Sequence, residues 1–219
     1  MTWLQGGPFL EISFLLIPES DRQSFVDYIL TSLKSFTPTV ELAIAESELK
    51  EKITEFNVGY PYDEQNPNSI FLHSTKIPVY VDTDEKRKSI LSIEQISDKL
   101  IVVDFWFYGD ELDAPEWNQK GITESQVLVF HNFLHKLFDE FDFIIGTVGC
   151  EVSVTDVFDT DEGWPNEKYN LDNIDTDFLE GDNYFTLIIV NKKHIDLKDI
   201  NGLMTVGQKQ TLERKKYGA

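Results

Sequence analysis

The chain of 219 residues has a single cysteine, Cys150, two methionines and four histidines. One cysteine excludes an intrachain disulfide and any Cys-pair metal site, and it fits a reducing compartment. Bases are scarce: 19 Lys and Arg stand against 39 Asp and Glu, for a formal net charge of -20. Such a field repels nucleic acid and anionic membrane and draws in cations or a basic protein surface. Long apolar runs are missing as well. Residues 9–17 are apolar but interrupted by Glu11, too short to span a bilayer and preceded by no base. Neither a signal peptide nor a transmembrane helix is expected, and the cytoplasm is the expected location. The chain also lacks a G-x-S-x-G elbow and a glycine loop for phosphate, so no cofactor is expected.

Aromatic residues are plentiful, with 16 Phe, 8 Tyr and 4 Trp in a chain that is 41% hydrophobic. Disordered acidic chains are poor in aromatics, so this composition predicts a folded core under an acidic coat. The charge is uneven. Residues 104–182 hold twenty acids against Lys120, Lys136 and Lys168, whereas seven bases face three acids from Asn191 onward.

Residues 9–17 alternate as a strand, with Leu10, Ile12, Phe14 and Leu16 on one face and Glu11 and Ser13 on the other. Ser20 and Gln23 have capping-box spacing ahead of a helix to about Phe36, striped by Phe25, Ile29, Leu33 and Phe36. A short strand at 40–45 and a helix at 47–56 follow, then a loop at 59–68, strand candidates at 69–73 and 78–81, and a charged hairpin tip at 82–88. Residues 100–108 make the strongest strand signal. Thr123 and Gln126 repeat the capping-box spacing before a helix striped by Val127, Phe130, Leu134, Leu137 and Phe141. Strands at 143–154 and 184–190 complete the pattern, with Gly146 and Gly149 marking bulges or close backbone approach. The tail from Lys193 is polar and basic, and reads as a short helix or a frayed end.

Strand, capped helix, strand occurs twice, at 9–45 and at 100–154. This predicts one α+β domain over 1–219: a largely antiparallel sheet with helices packed on one face, built as pseudo-repeat halves near 9–95 and 100–190 with a basic tail at 191–219.

Two acidic loops are the foremost site candidates. The first, 109–121, carries Asp110, Glu111, Asp113, Glu116 and Trp117; the second, 158–169, carries Asp159, Asp161, Glu162 and Trp164. A Trp stiffened by a nearby Pro and ringed by charge has the make-up of an interface anchor. Equally, each Trp can plug an end of the core while the acids face water. Asp159, Asp161 and Glu162, like Asp172, Asp175 and Asp177, offer oxygen ligands without the alternation, central Gly and terminal Glu of an EF-hand, so calcium is not expected. His131 and His135 stand one helical turn apart, a spacing that can hold zinc, but Asn132 occupies the place of a zincin's Glu. Glu11, Asp104 and Glu151 interrupt apolar strands. With adjacent strands and matching faces they would form a carboxylate cluster; otherwise each lies on the polar side of its strand. Cys150 alternates with Val148 and Val152 as a core thiol.

These features predict an acidic intracellular binding protein that docks on a basic protein partner, in its most economical form an immunity-type inhibitor of a cationic toxin or nuclease. The rival classes are an enzyme using the strand-borne carboxylates or the histidine pair, and an adaptor whose acidity serves solubility.

Overall fold

The structure, a computed structural model, describes residues 3–66, 68–69, 71–158, 169–181, 183–198 and 200–214. In chain order the elements are β1 (Phe9–Leu16), α1 (Arg22–Ser35), β2 (Val40–Leu42), α2 (Glu46–Val58), β3 (Tyr60–Pro61), β4 (Phe71–Leu72), β5 (Ser74–Asp82), β6 (Lys86–Gln95), β7 (Ile101–Tyr108), α3 (Val127–Phe141), β8 (Ile145–Cys150), α4 (Thr176–Glu180), β9 (Phe185–Asn191), β10 (Met204–Val206) and β11 (Lys209–Glu213). Nine of the strands form one sheet in the order β10-β11-β9-β8-β1-β7-β6-β5-β2, and β3 and β4 pair separately. Each neighbouring pair is antiparallel. The fold is α+β.

Strand alternation decides what each face carries. Leu10, Ile12, Phe14 and Leu16 of β1 join Phe105 and Phe107 of β7 beneath Phe25, Ile29 and Leu33 of α1 and Phe130, Leu134 and Leu137 of α3. Full burial of one such side chain contributes about 1.5–3 kcal/mol, so this helix-covered face is the main source of stability. Phe56 of α2 joins the same cluster. The opposite face is split. Over β8, β9 and β11 a second apolar cluster, including Val157, Phe158, Leu179, Leu197 and Ile200, covers Ile145, Ile188, Val190 and Leu212. Short α4 belongs to this second layer through Leu179. The part of the far face formed by β7, β6 and β5 carries polar and partly exposed side chains instead.

The alternation implies that β1-α1-β2 and β7-α3-β8 each link parallel strands across the sheet. The first passes over β7, β6 and β5; the second passes over β1 alone. The two strand–helix–strand units are both present, with different spans.

Three local readings change. The spacing predicts a cap at Ser20, but the N-cap of α1 is Asp21, whose carboxylate accepts from the Ser24 amide at 3.1 Å. An Asp offers a charged acceptor at the positive end of the helix, where a hydroxyl offers a neutral one. The second predicted box is formed: Gln126 Oε1 accepts from the Thr123 amide at 3.0 Å, opening the turn that leads into α3. The charged tip predicted at 82–88 is shorter: Lys86–Gln95 forms β6, the second arm of a hairpin paired along its length with β5. The basic tail is a hairpin, β10-β11, and β11 pairs with β9 to extend the sheet. β10 is exposed at every position and so carries no alternating signal. At Gly149 the register with β9 shifts, in keeping with the bulge its spacing predicts.

Candidate functional site

The first acidic loop leaves β7 at Tyr108 and closes on itself. The Gly109 amide donates to Pro8 O at 2.9 Å, and a Cβ at Gly109 would stand 2.7 Å from the Leu10 nitrogen, so the chain passes β1 too closely for any side chain. At the other neck, the Ile122 amide donates to Asp110 O at 2.8 Å, and a Cβ at Gly121 would collide with Glu111 O. Ala114 and Gln119 bridge the middle of the loop. The buried Gln119 amide exchanges two hydrogen bonds of 2.8 Å with the Gln5 backbone. Arg87, 3% exposed, donates to Gly121 O at 2.9 Å while held by Asp84 and Glu85, and Lys88 donates to Trp117 O at 2.7 Å.

On this pinned frame Asp110 and Asp113 turn partly inward to accept from the Leu112 and Gly121 amides, each at 2.9 Å. Glu111 and Glu116 face solvent. Leu112 is 75% exposed and Trp117 39%, with the indole resting against Gly6. Trp117 has one edge seated on the body and the other open to solvent. Of the second loop, Asp159, Asp161, Glu162 and Trp164 lie outside the described residues. Its flanks, Phe158 and Tyr169, stack edge to face at 5.4 Å in the far-face layer.

The strand-borne acids meet on the far face. Ser13 of β1 pairs with Asp104 of β7 and with Thr147 of β8; Asp104 pairs in turn with Ser92 of β6, and Ser92 with Lys76 of β5. A polar row therefore crosses five strands. Glu11, one pleat along, pairs with Trp106, and Glu94, one pleat the other way, pairs with Val102. Asp104 is 7% exposed and its Oδ1 has no hydrogen-bond partner. Burial, then the charges of Glu11 and Glu94, pushes its carboxyl well above the usual range. Burial and the neighbouring Glu151 and Asp156 push Glu11 up to about 7, against the pull of Lys76. Burial also raises Glu94. Glu151 accepts from the Phe9 amide, and Asp156 from the Ser153 amide at 2.7 Å. Lys76 Nζ lies 4.2 Å from the centroid of the Trp106 ring, whose own Nε1 is buried without a partner. The group is chemically able to hold protons near neutral pH and to exchange them for a cation.

The histidines behave as packing residues. His131 Nε2 meets Thr186 Oγ1 at 2.9 Å between α3 and β9, and burial lowers its pKa and that of His135. Among the described residues no three His, Cys, Asp or Glu side chains are placed to share a metal ion. Cys150 is half-buried, and burial raises its thiol pKa.

Glu11, Asp104 and Glu151 are visible in the sequence as acids inside apolar strands. Glu94, Asp156 and Lys76 are not. Glu94 lies on β6, where no strand was assigned and hence no face, and Asp156 lies in what reads as loop. The hairpin tip at 82–88 was the available signal for Glu94, since a tip implies a returning arm.

No family model, no curated protein and no solved structure matches the chain. Among the described residues no helix is long and apolar enough to cross a membrane.

Proposed function

We propose that this is an acidic binding protein that docks on a basic protein partner, in the manner of an immunity-type inhibitor covering the cationic surface of an intracellular toxin or nuclease. One observation carries the reading: Leu112 and Trp117 stand exposed on a pinned loop, ringed by Asp110, Glu111, Asp113 and Glu116. Exposed apolar anchors within a charged rim are the usual composition of a docking surface, and a frame already fixed by hydrogen bonds loses little entropy on binding. The net charge of -20 supplies long-range attraction to a basic face. Asp159, Asp161, Glu162 and Trp164 extend the proposal to the second loop.

The test is capture from the native cell at graded salt, followed by binding kinetics with the protein retained longest. Changing Asp110 and Asp113 to Asn and Glu111 and Glu116 to Gln slows association by about tenfold at low salt and flattens its salt dependence, because exposed charges act on encounter within about 10 Å at 0.1 M salt. Trp117→Ala speeds dissociation instead. Unchanged association and salt dependence in the neutralised loop would rule out this docking surface.

A further inference from the structure

We propose a second binding site on the far face, one that takes the guanidinium or ammonium head of an alkyl cation between Glu11 and Asp104, with Trp106 as its side wall. The site is distinct from the acidic loop and stands whether or not the loop docks a protein.

Register places the three carboxyls. Asp104 lies on β7 between Ser13 and Ser92, Glu11 is one pleat along on β1, and Glu94 one pleat the other way on β6. Glu11 and Glu94 therefore flank Asp104 on opposite sides, and the diagonal neighbours Glu11 and Asp104, about 7–8 Å apart across adjacent strands, mark the site. At that point Asp104 Oδ1 is buried and lacks a donor, as the Trp106 indole N–H lacks an acceptor. A ligand's N–H groups would supply the donor that this carboxyl oxygen lacks. Trp106, Glu11 and Glu94 are each partly exposed, so the head group has access from solvent.

Charge and size define the ligand. Among the described residues Glu94, Glu151 and Asp156 add negative potential around this pair, Tyr169 faces Glu94 and Asp156, and Lys76 is the base that faces both acids. Carboxyls therefore outnumber ammonium groups there among the described residues. The acids are too spread for three to share a metal ion, whereas a guanidinium presents five N–H donors in a planar fork able to reach separated carboxylates. A cation entering there favours ionised Glu11 and Asp104, so it displaces protons that the empty site holds.

The probes are methylguanidinium and butylammonium chloride, titrated into the full chain at constant ionic strength while following the indole N–H resonance of Trp106, assigned with Trp106→Phe. A saturable shift is expected, with affinity rising roughly tenfold from pH 6 to pH 8 as protons leave more readily, and with proton release in calorimetry run in two buffers. Asp104→Asn and Glu11→Gln, each close in shape to the protonated acid, should still unfold in one cooperative transition and weaken binding about tenfold. Glu116→Gln on the loop should leave it unchanged. N-acetyl-arginine amide separates the sources: binding as tight as methylguanidinium points to a protein side chain, and its exclusion while methylguanidinium binds points to a free small cation. A shift that does not saturate, or equal affinity in wild type and both variants, would mean diffuse attraction to an acidic surface and would overturn the site.

Discussion

Two groups of acids in this protein share their chemistry and differ in what surrounds them. Glu111 and Glu116 face water, and Asp110 and Asp113 stand at the surface with amides as partners. Glu11, Glu94 and Asp104 sit within a sheet, screened less by solvent, with Glu11 and Glu94 flanking Asp104. The first group shapes the field that a distant partner meets. The second stores unfavourable electrostatic energy in the fold, released by a proton or by a bound cation. Total acid content says nothing about this division; burial makes it.

The limiting case is an acid placed where neither water nor a cation reaches. Leu134 is fully buried between α3 and the sheet, and Leu134→Asp should lose more than about 4 kcal/mol and unfold the protein in a single transition by circular dichroism. Two separate transitions in the wild-type chain would instead divide the nine-stranded sheet into independent parts.

Next comes the pH dependence that Glu11 imposes. Its pKa is raised from 4.5 to about 7 on folding, so between those values the folded state binds a proton that the unfolded state has lost. Stability therefore falls as pH rises from about 4.5 to about 7, and the full cost persists above that range. Glu11→Gln should flatten this slope in denaturant titrations, by on the order of 2 kcal/mol across the window after allowance for partial exposure. A slope identical to wild type would place Glu11 in ordinary solvent and erase the contrast.

The same sign is expected at Asp104, whose carboxyl burial pushes well above the usual range. Asp104→Asn should be close to neutral at low pH and stabilising by about 1 kcal/mol or more at pH 9, where the unfolded wild type has lost a proton and folding must either recover it or bury the charge. Thermal midpoints at pH 5 and pH 9 decide it. Smallest of all, Glu111→Gln and Glu116→Gln should shift stability by less than about 0.5 kcal/mol at any pH.

Much of the frame was legible locally. The stripe on α3 is buried where its 3.6-residue period predicts, and β1 and β7 announce themselves by alternation and apolar content. The β10-β11 hairpin was not, because Met204, Thr205 and Val206 are all exposed and give no alternating signal. Trp117 was legible as an aromatic among acids, but its half-seated position depends on Gly6, more than a hundred residues away. Of the carboxylate group, Glu11 and Asp104 stood out as misfits in apolar strands, whereas Glu94 looked ordinary on a segment that begins with Lys86, Arg87 and Lys88.

The sequence by itself determined the sign of the field, the helix stripes and the parity of each strand, which put Glu11 and Ser13 opposite the apolar face of β1. These are properties of neighbours a few residues apart, and local geometry suffices for them. Only the tertiary structure decided that β1 lies between β7 and β8, with Ser13 against Asp104 and Glu11 against Trp106. A slip of β1 by one residue in that pairing would turn Glu11 and Ser13 toward the helices. The register holds because the same slip would expose Leu10, Ile12 and Phe14.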